Sequence, residues 1–159
     1  MEINVLVDEG LEARLEVSWL QSVAKQALVA QKVGPDAEIS LVIASQERVR
    51  QLNRDYLGKD APTDVIAFSM LPVPTAGGEP GVSPFVAPPD GVSHLGEVII
   101  SYPQAVIQAE EHHHPVKKEL AILIIHGVLH VLGYDHAEPD QERQMRAREA
   151  EILNGIEVD

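Results

Sequence analysis

The chain contains no cysteine. That absence excludes a disulfide framework and a thiolate-ligated zinc site, and it suits a reducing compartment. Positive charge is scarce, with 12 Lys and Arg against 25 Asp and Glu, for a formal net charge of −13 and a pI near 4.8. A general positive field for holding nucleic acid is therefore excluded, and any nucleic-acid role has to rest on a local site. Long hydrophobic runs are lacking as well. The most apolar stretch, LAILIIHGVLHVL (Leu120 to Leu132), is too short to span a bilayer and holds two histidines, so it reads as a buried helix. The N-terminal MEINVLVDEGLEAR has no basic segment followed by an apolar one, and no secretory signal is expected there.

What is present fits one ordinary globular domain spanning residues 1–159, with 45% hydrophobic and 23% charged residues. Ile3 to Val7 alternates and is rich in β-branched residues, which predicts a strand. Val17, Leu20, Val23, Ala24, Ala27 and Leu28 recur at helical spacing between Arg14 and Lys32. A strand over Glu38 to Ala44 follows. Ser45 then suits the N-cap of a helix reaching Tyr56, with Val49, Leu52 and Tyr56 on its inner face. GKDAPTD (Gly58 to Asp64) is a turn-rich connector, and Val65 to Met70 a third strand.

Residues 71–93 hold six of the 11 prolines and four of the 11 glycines. They are expected to form a surface loop, either a tolerated insertion or a lid. Leu95 to Ser101 is a fourth strand. Helices are expected over Pro103 to His113, from Pro115 to Leu132 with Gly133 as its stop, and over Asp140 to Asn154 with Gly155 closing it. The order β α β α β β α α α predicts an α+β fold, with one small mixed four-stranded sheet packed with helices.

The chemistry concentrates in HGVLHVLGYDH, His126 to His136. His126 and His130 are four apart in a predicted helix, which places both imidazoles on one face, one turn apart. Gly133 lets the chain leave the helix and return with His136. Three neutral nitrogens leave a coordination position open, the pattern of a catalytic rather than a structural zinc site. Zinc is the expected ion, although three imidazoles also suit nickel, copper or cobalt. Asp135 is either an outer partner that orients a ligand or a plain turn aspartate.

His112, His113 and His114 form a second group. Consecutive helical residues point about 100° apart, so these three cannot share an ion without unwinding and are expected to face solvent. His94, at the end of the Pro/Gly-rich segment, is read the same way.

The layout H-x-x-x-H-x-x-G-x-x-H is that of a zinc protease, yet Gly127 stands where such enzymes carry a glutamate base. Peptide hydrolysis by that route is not expected. Phosphodiester cleavage is less demanding, because a coordinated water can have a pKa of about 7 without a dedicated base, and RNA brings its own 2′-OH.

HGVLHVLGYDH resembles the H-G-x-L-H-L-x-G-Y-D-H signature of the YbeY family of rRNA maturation endoribonucleases. LNRDYLGKDAPTDVIAFS (Leu52 to Ser69) is similar to that family's L-N-x-x-Y-R-G-K-D-x-P-T-D-V-L-S-F block, and LGEVIIS to its L-G-D-I-x-I-S block. The resemblance runs from about Ile39 onward. It implies a single-strand-specific, metal-dependent RNase with a zinc-protease-like active-site helix. It implies action in the cytoplasm on small-subunit rRNA, in maturation and quality control, alongside the small subunit or its proteins. It carries His126, His130 and His136 over as metal ligands.

One departure stands out. Leu57 occupies the place of the family arginine expected to face phosphate. Arg54, three residues earlier on the same helix face, and Lys59, which matches the family lysine, are the candidate replacements; the alternative is that both are solvated. Two other functions compete with the nuclease: a ribosome-assembly binding factor whose metal is mainly structural, and a metal-dependent hydrolase of another substrate.

Overall fold

The computed structural model describes residues 1–8, 16–57, 63–69, 93–132 and 139–156. Among them, four strands and five helices follow one another as β1 (Glu2–Val7), α1 (Val17–Ala30), β2 (Ala37–Ala44), α2 (Gln46–Leu57), β3 (Val65–Ser69), β4 (Ser93–Ser101), α3 (Tyr102–Glu111), α4 (Val116–Val131) and α5 (Pro139–Asn154). This is the order the sequence predicts, and the class is α+β. The strands lie in the order β1-β2-β4-β3. β1, β2 and β4 run parallel, while β3 runs antiparallel to β4 along one edge. The sheet is mixed because β3 meets β4 antiparallel, whereas β1 and β2, linked through α1, run parallel.

The period-two alternation of the strands divides the core between the two faces. Ile39, Leu41 and Ile43 of β2, with Val98 and Ile100 of β4, meet α1, α3, α4 and α5 in the larger cluster. Val42 and Ala44, with Ile66 and Ile99, point the other way and meet Val49 and Leu52 of α2. α1 buries the predicted Leu20, Val23, Ala24, Ala27 and Leu28. Val17 departs from that prediction: it begins the helix and is exposed. α4 is the central helix, buried over most of its circumference, which is why its sequence shows an apolar run rather than one stripe.

Local caps follow the sequence. Ser45 Oγ accepts from the Arg48 amide at 3.2 Å ahead of α2. Ser101 Oγ accepts from the Gln104 amide at 3.3 Å ahead of α3. Pro115 caps α4, where its missing N–H costs nothing.

Two features of β4 depart from the expected pattern. It starts at Ser93, inside the predicted loop, and His94 is a strand residue whose Nδ1 lies 2.9 Å from Glu38 Oε1, not a solvated loop histidine. The register then slips: Glu38 opposes His94 but Ile39 opposes Gly96, so Leu95 is the extra residue of a bulge. Gly96 has φ +149°, and a Cβ there would sit 2.0 Å from the Phe68 carbonyl oxygen. Only glycine brings β4 this close to β3.

His136, Asp135, Lys59 and Gly133, and residues 71–92 of the predicted loop, lie outside the described residues.

Candidate metal centre

α4 carries His126 and His130 on adjacent turns, and the two rings converge edge to face with centroids 4.5 Å apart. Their Nε2 atoms are 3.0 Å apart. A tetrahedral ion held at 2.0–2.1 Å requires two ligating nitrogens to lie roughly 3.3 Å apart, so a shift of a few tenths of an ångström brings the pair to ligand spacing.

The protein decides which nitrogen faces inward. Glu149, from α5, places Oε1 2.5 Å from His126 Nδ1. A carboxylate there accepts the Nδ1 proton, which leaves the Nε2 lone pair free to ligate and holds the ring against rotation. Sequence reasoning misses Glu149, although a signal for it is present. Met145 and Ile152, four residues before it and three after, are the buried residues of α5. An acidic residue at a core-facing helical position asks for a partner, and the partner is His126.

Gly127 has a packing role. A Cβ on it would meet Val98 Cγ1 of β4 at 2.4 Å, with the other two Val98 side-chain atoms within 3.3 Å. The position that carries a base in zinc proteases here faces the sheet. Glycine lets α4 sit down on β4, and that approach places the two histidines beside β3.

Between α4 and β3 lies a cleft of about 500 Å³, lined among the described residues by Thr63, Asp64, Val65, Ile66, Ala67, His126, Gly127 and His130. β3 is an edge strand, and among the described residues no strand pairs with its outer side. Backbone amides on such an edge are available to a ligand. Both ends of the wall are tied down. Asp64 Oδ1 accepts from the Val65 amide at 2.8 Å and its Oδ2 from Gln108 Nε2 of α3 at 3.2 Å. Ser69 Oγ donates to the Val131 carbonyl at 2.9 Å, pinning the far end of β3 to the C-terminal end of α4. Asp64 and Ser69 fall inside the quoted sequence block, but only the fold shows what they hold.

Arg54 is half-exposed on α2, with Nε 3.4 Å from Asp55 Oδ1, and it does not line the cleft among the described residues.

The histidines between α3 and α4 depart only in part from the expectation of solvated residues that point apart. The helix ends at Glu111, His113 takes φ 57°, and His112 and His114 both turn toward Glu119. His112 and His113 are exposed, but His114 is largely covered.

A family model described as Endoribonuclease YbeY matches residues 7–157. The Endoribonuclease YbeY of Dehalococcoides mccartyi is 45% identical over 151 residues, covering 94% of this chain and 92% of its own. That of Geobacillus thermodenitrificans is 40% identical over 148 residues, covering 92% and 91%. The solution structure of TM1509 from Thermotoga maritima superimposes with a TM-score of 0.58 at 25% identity, over 96% of this chain and 87% of that one. The chain belongs to the Endoribonuclease YbeY family.

Proposed function

We propose that this member of the Endoribonuclease YbeY family is a metal-dependent endoribonuclease that cuts single-stranded RNA during small-subunit rRNA maturation and ribosome quality control. Its setting would be the cytoplasm, beside the small subunit or its proteins. Among the described residues, no helix is long and apolar enough to cross a membrane. The observation that carries the reading is the convergence of His126 Nε2 and His130 Nε2 at 3.0 Å in a cleft walled by an edge strand.

In this reading His126, His130 and His136 hold one divalent ion, with zinc the expected metal. When bound, the ion supplies Lewis acidity toward a phosphoryl oxygen. Glu149 fixes the tautomer and orientation of His126, and Asp135 is a candidate for the same service at another ligand. The outward amides of β3 donate to phosphate oxygens without reading sequence, which suits single-stranded RNA running along the edge. Arg54 and Lys59 are the candidate cations that replace the arginine missing at Leu57. The substrate's own 2′-OH can serve as nucleophile, and a 2′,3′-cyclic phosphate end would mark that route.

Two features of the sequence favour a second reading: the formal net charge of −13, and Leu57 in the place of the family arginine. A ribosome-assembly factor with a mainly structural metal needs no cation to balance a transition state. Cleavage of a labelled single-stranded rRNA fragment separates the two, using metal-stripped protein with zinc restored and His130→Ala purified in parallel. Cutting by the restored wild type alone supports the nuclease. Equal behaviour of the two samples removes it and leaves the binding factor.

A further inference from the structure

α3 ends in a tight reversal. The His113 amide donates to the Glu110 carbonyl at 3.2 Å and the His114 amide to the Ala109 carbonyl at 3.1 Å. This pair of bonds is the Schellman arrangement, whose left-handed position usually carries glycine. Here it carries His113 at φ 57°. A side chain in that conformation is strained, so the reversal is held by its surroundings.

The reversal brings the flanking histidines to one point. His112 Nδ1 lies 3.2 Å, and His114 Nε2 2.5 Å, from the same oxygen, Oε2 of Glu119 in the first turn of α4. The ligand atoms of the three residues lie within 4.8 Å of one another. The Glu119 side chain is 3% exposed, His114 15% and His112 57%. The group thus has a buried anionic floor, a covered wall and an open mouth. One imidazole suffices to satisfy a buried carboxylate oxygen. A second, reaching the same oxygen from solvent, is what a cation site requires.

We infer that His112 Nδ1, His114 Nε2 and Glu119 Oε2 form a second divalent transition-metal site, distinct from the pair on the same helix at His126 and His130. Two imidazoles and one carboxylate are borderline ligands that suit zinc, cobalt or nickel better than magnesium or calcium. Ligand atoms around a tetrahedral zinc lie roughly 3.2–3.5 Å apart, so His112 Nδ1 already has that spacing from Glu119 Oε2, while His114 Nε2 needs to withdraw from the same oxygen by under about 1 Å. The fourth position opens to solvent beside His112. Glu119 and His126 are seven residues apart on α4, about 10 Å along the axis, so the two groups hold separate ions. The second ion would staple the α3–α4 corner, whose far end bears on the cleft through Gln108 and Asp64.

The test counts zinc bound per chain after dialysis of the full-length protein, with circular dichroism as the check on folding. The His126→Ala, His130→Ala double variant is expected to retain one zinc. Adding His112→Ala, an exposed position that leaves the core intact, should weaken that zinc at least as much as losing an outer partner does, about 10–100-fold. Cobalt(II) in the double variant should show visible absorption that His112→Ala removes. A folded double variant that binds no zinc overturns the inference, and so does zinc binding that survives His112→Ala with His114→Ala. The reading of the His126 site is tested separately: His112→Ala, His114→Ala protein with that site intact should hold one zinc.

Discussion

Gly127 of α4 and Val98 of β4 stand so close that a single added carbon would lie 2.4 Å from Val98 Cγ1. Glycine inside a helix costs about 1 kcal/mol relative to alanine, so on propensity alone Gly127→Ala should stabilise the protein. Overpacking reverses the sign. The expected outcome is a net loss of about 1–3 kcal/mol, read from the urea midpoint at unchanged slope. Val98→Ala, which removes the clashing methyls, should recover part of that loss in the double variant. A Gly127→Ala protein as stable as wild type would show that α4 tolerates a wider gap from the sheet.

Glu149 acts through His126 rather than on substrate. Glu149→Ala should lower zinc affinity at the His126 centre by about 10–100-fold in competition with a chromophoric chelator. Glu149→Gln keeps an acceptor for the Nδ1 proton and should lose less. Cleavage by either variant should recover as zinc is raised. A defect that persists at saturating zinc would assign Glu149 a direct part in the chemistry.

Zinc should stabilise the folded chain through linkage. Zinc at a hundred times its dissociation constant adds about 2.7 kcal/mol, visible as a rise in Tm. In a chain already lacking His112 and His114, this rise should disappear in His130→Ala. Its persistence there would place the ion elsewhere.

Arg54→Ala and Lys59→Ala address the missing arginine. If the two cations face phosphate, each removal weakens RNA binding evenly across sequences and lowers the salt slope by about 0.7, the increment for one single-strand phosphate. Arg54 is half-exposed beside Asp55, so its share is expected to be the smaller. An unchanged slope in the double variant excludes both.

Much is legible in the sequence because it is local. Period-two and period-3.6 patterns place the nine elements of the described residues in order, and the i, i+4 spacing alone brings His126 and His130 together. The departures share one cause, a local irregularity that a periodic pattern does not encode. Continuing α3 through the histidines separates His112 from His114, whereas one left-handed residue at His113 reverses the geometry. His94 reads as a loop residue because the bulge at Leu95 breaks the alternation that marks a strand.

The sequence by itself determined the class, the elements and the histidine pair, since each depends on side chains within a few turns of one another. It also carried the family's blocks, from which membership follows. Only the tertiary structure decided the strand order β1-β2-β4-β3, the approach of α4 that requires glycine at 127, and the pairing of Glu149 with His126. These depend on residues distant in the chain meeting across a packed interior, where close packing selects one arrangement from the many that a local pattern allows.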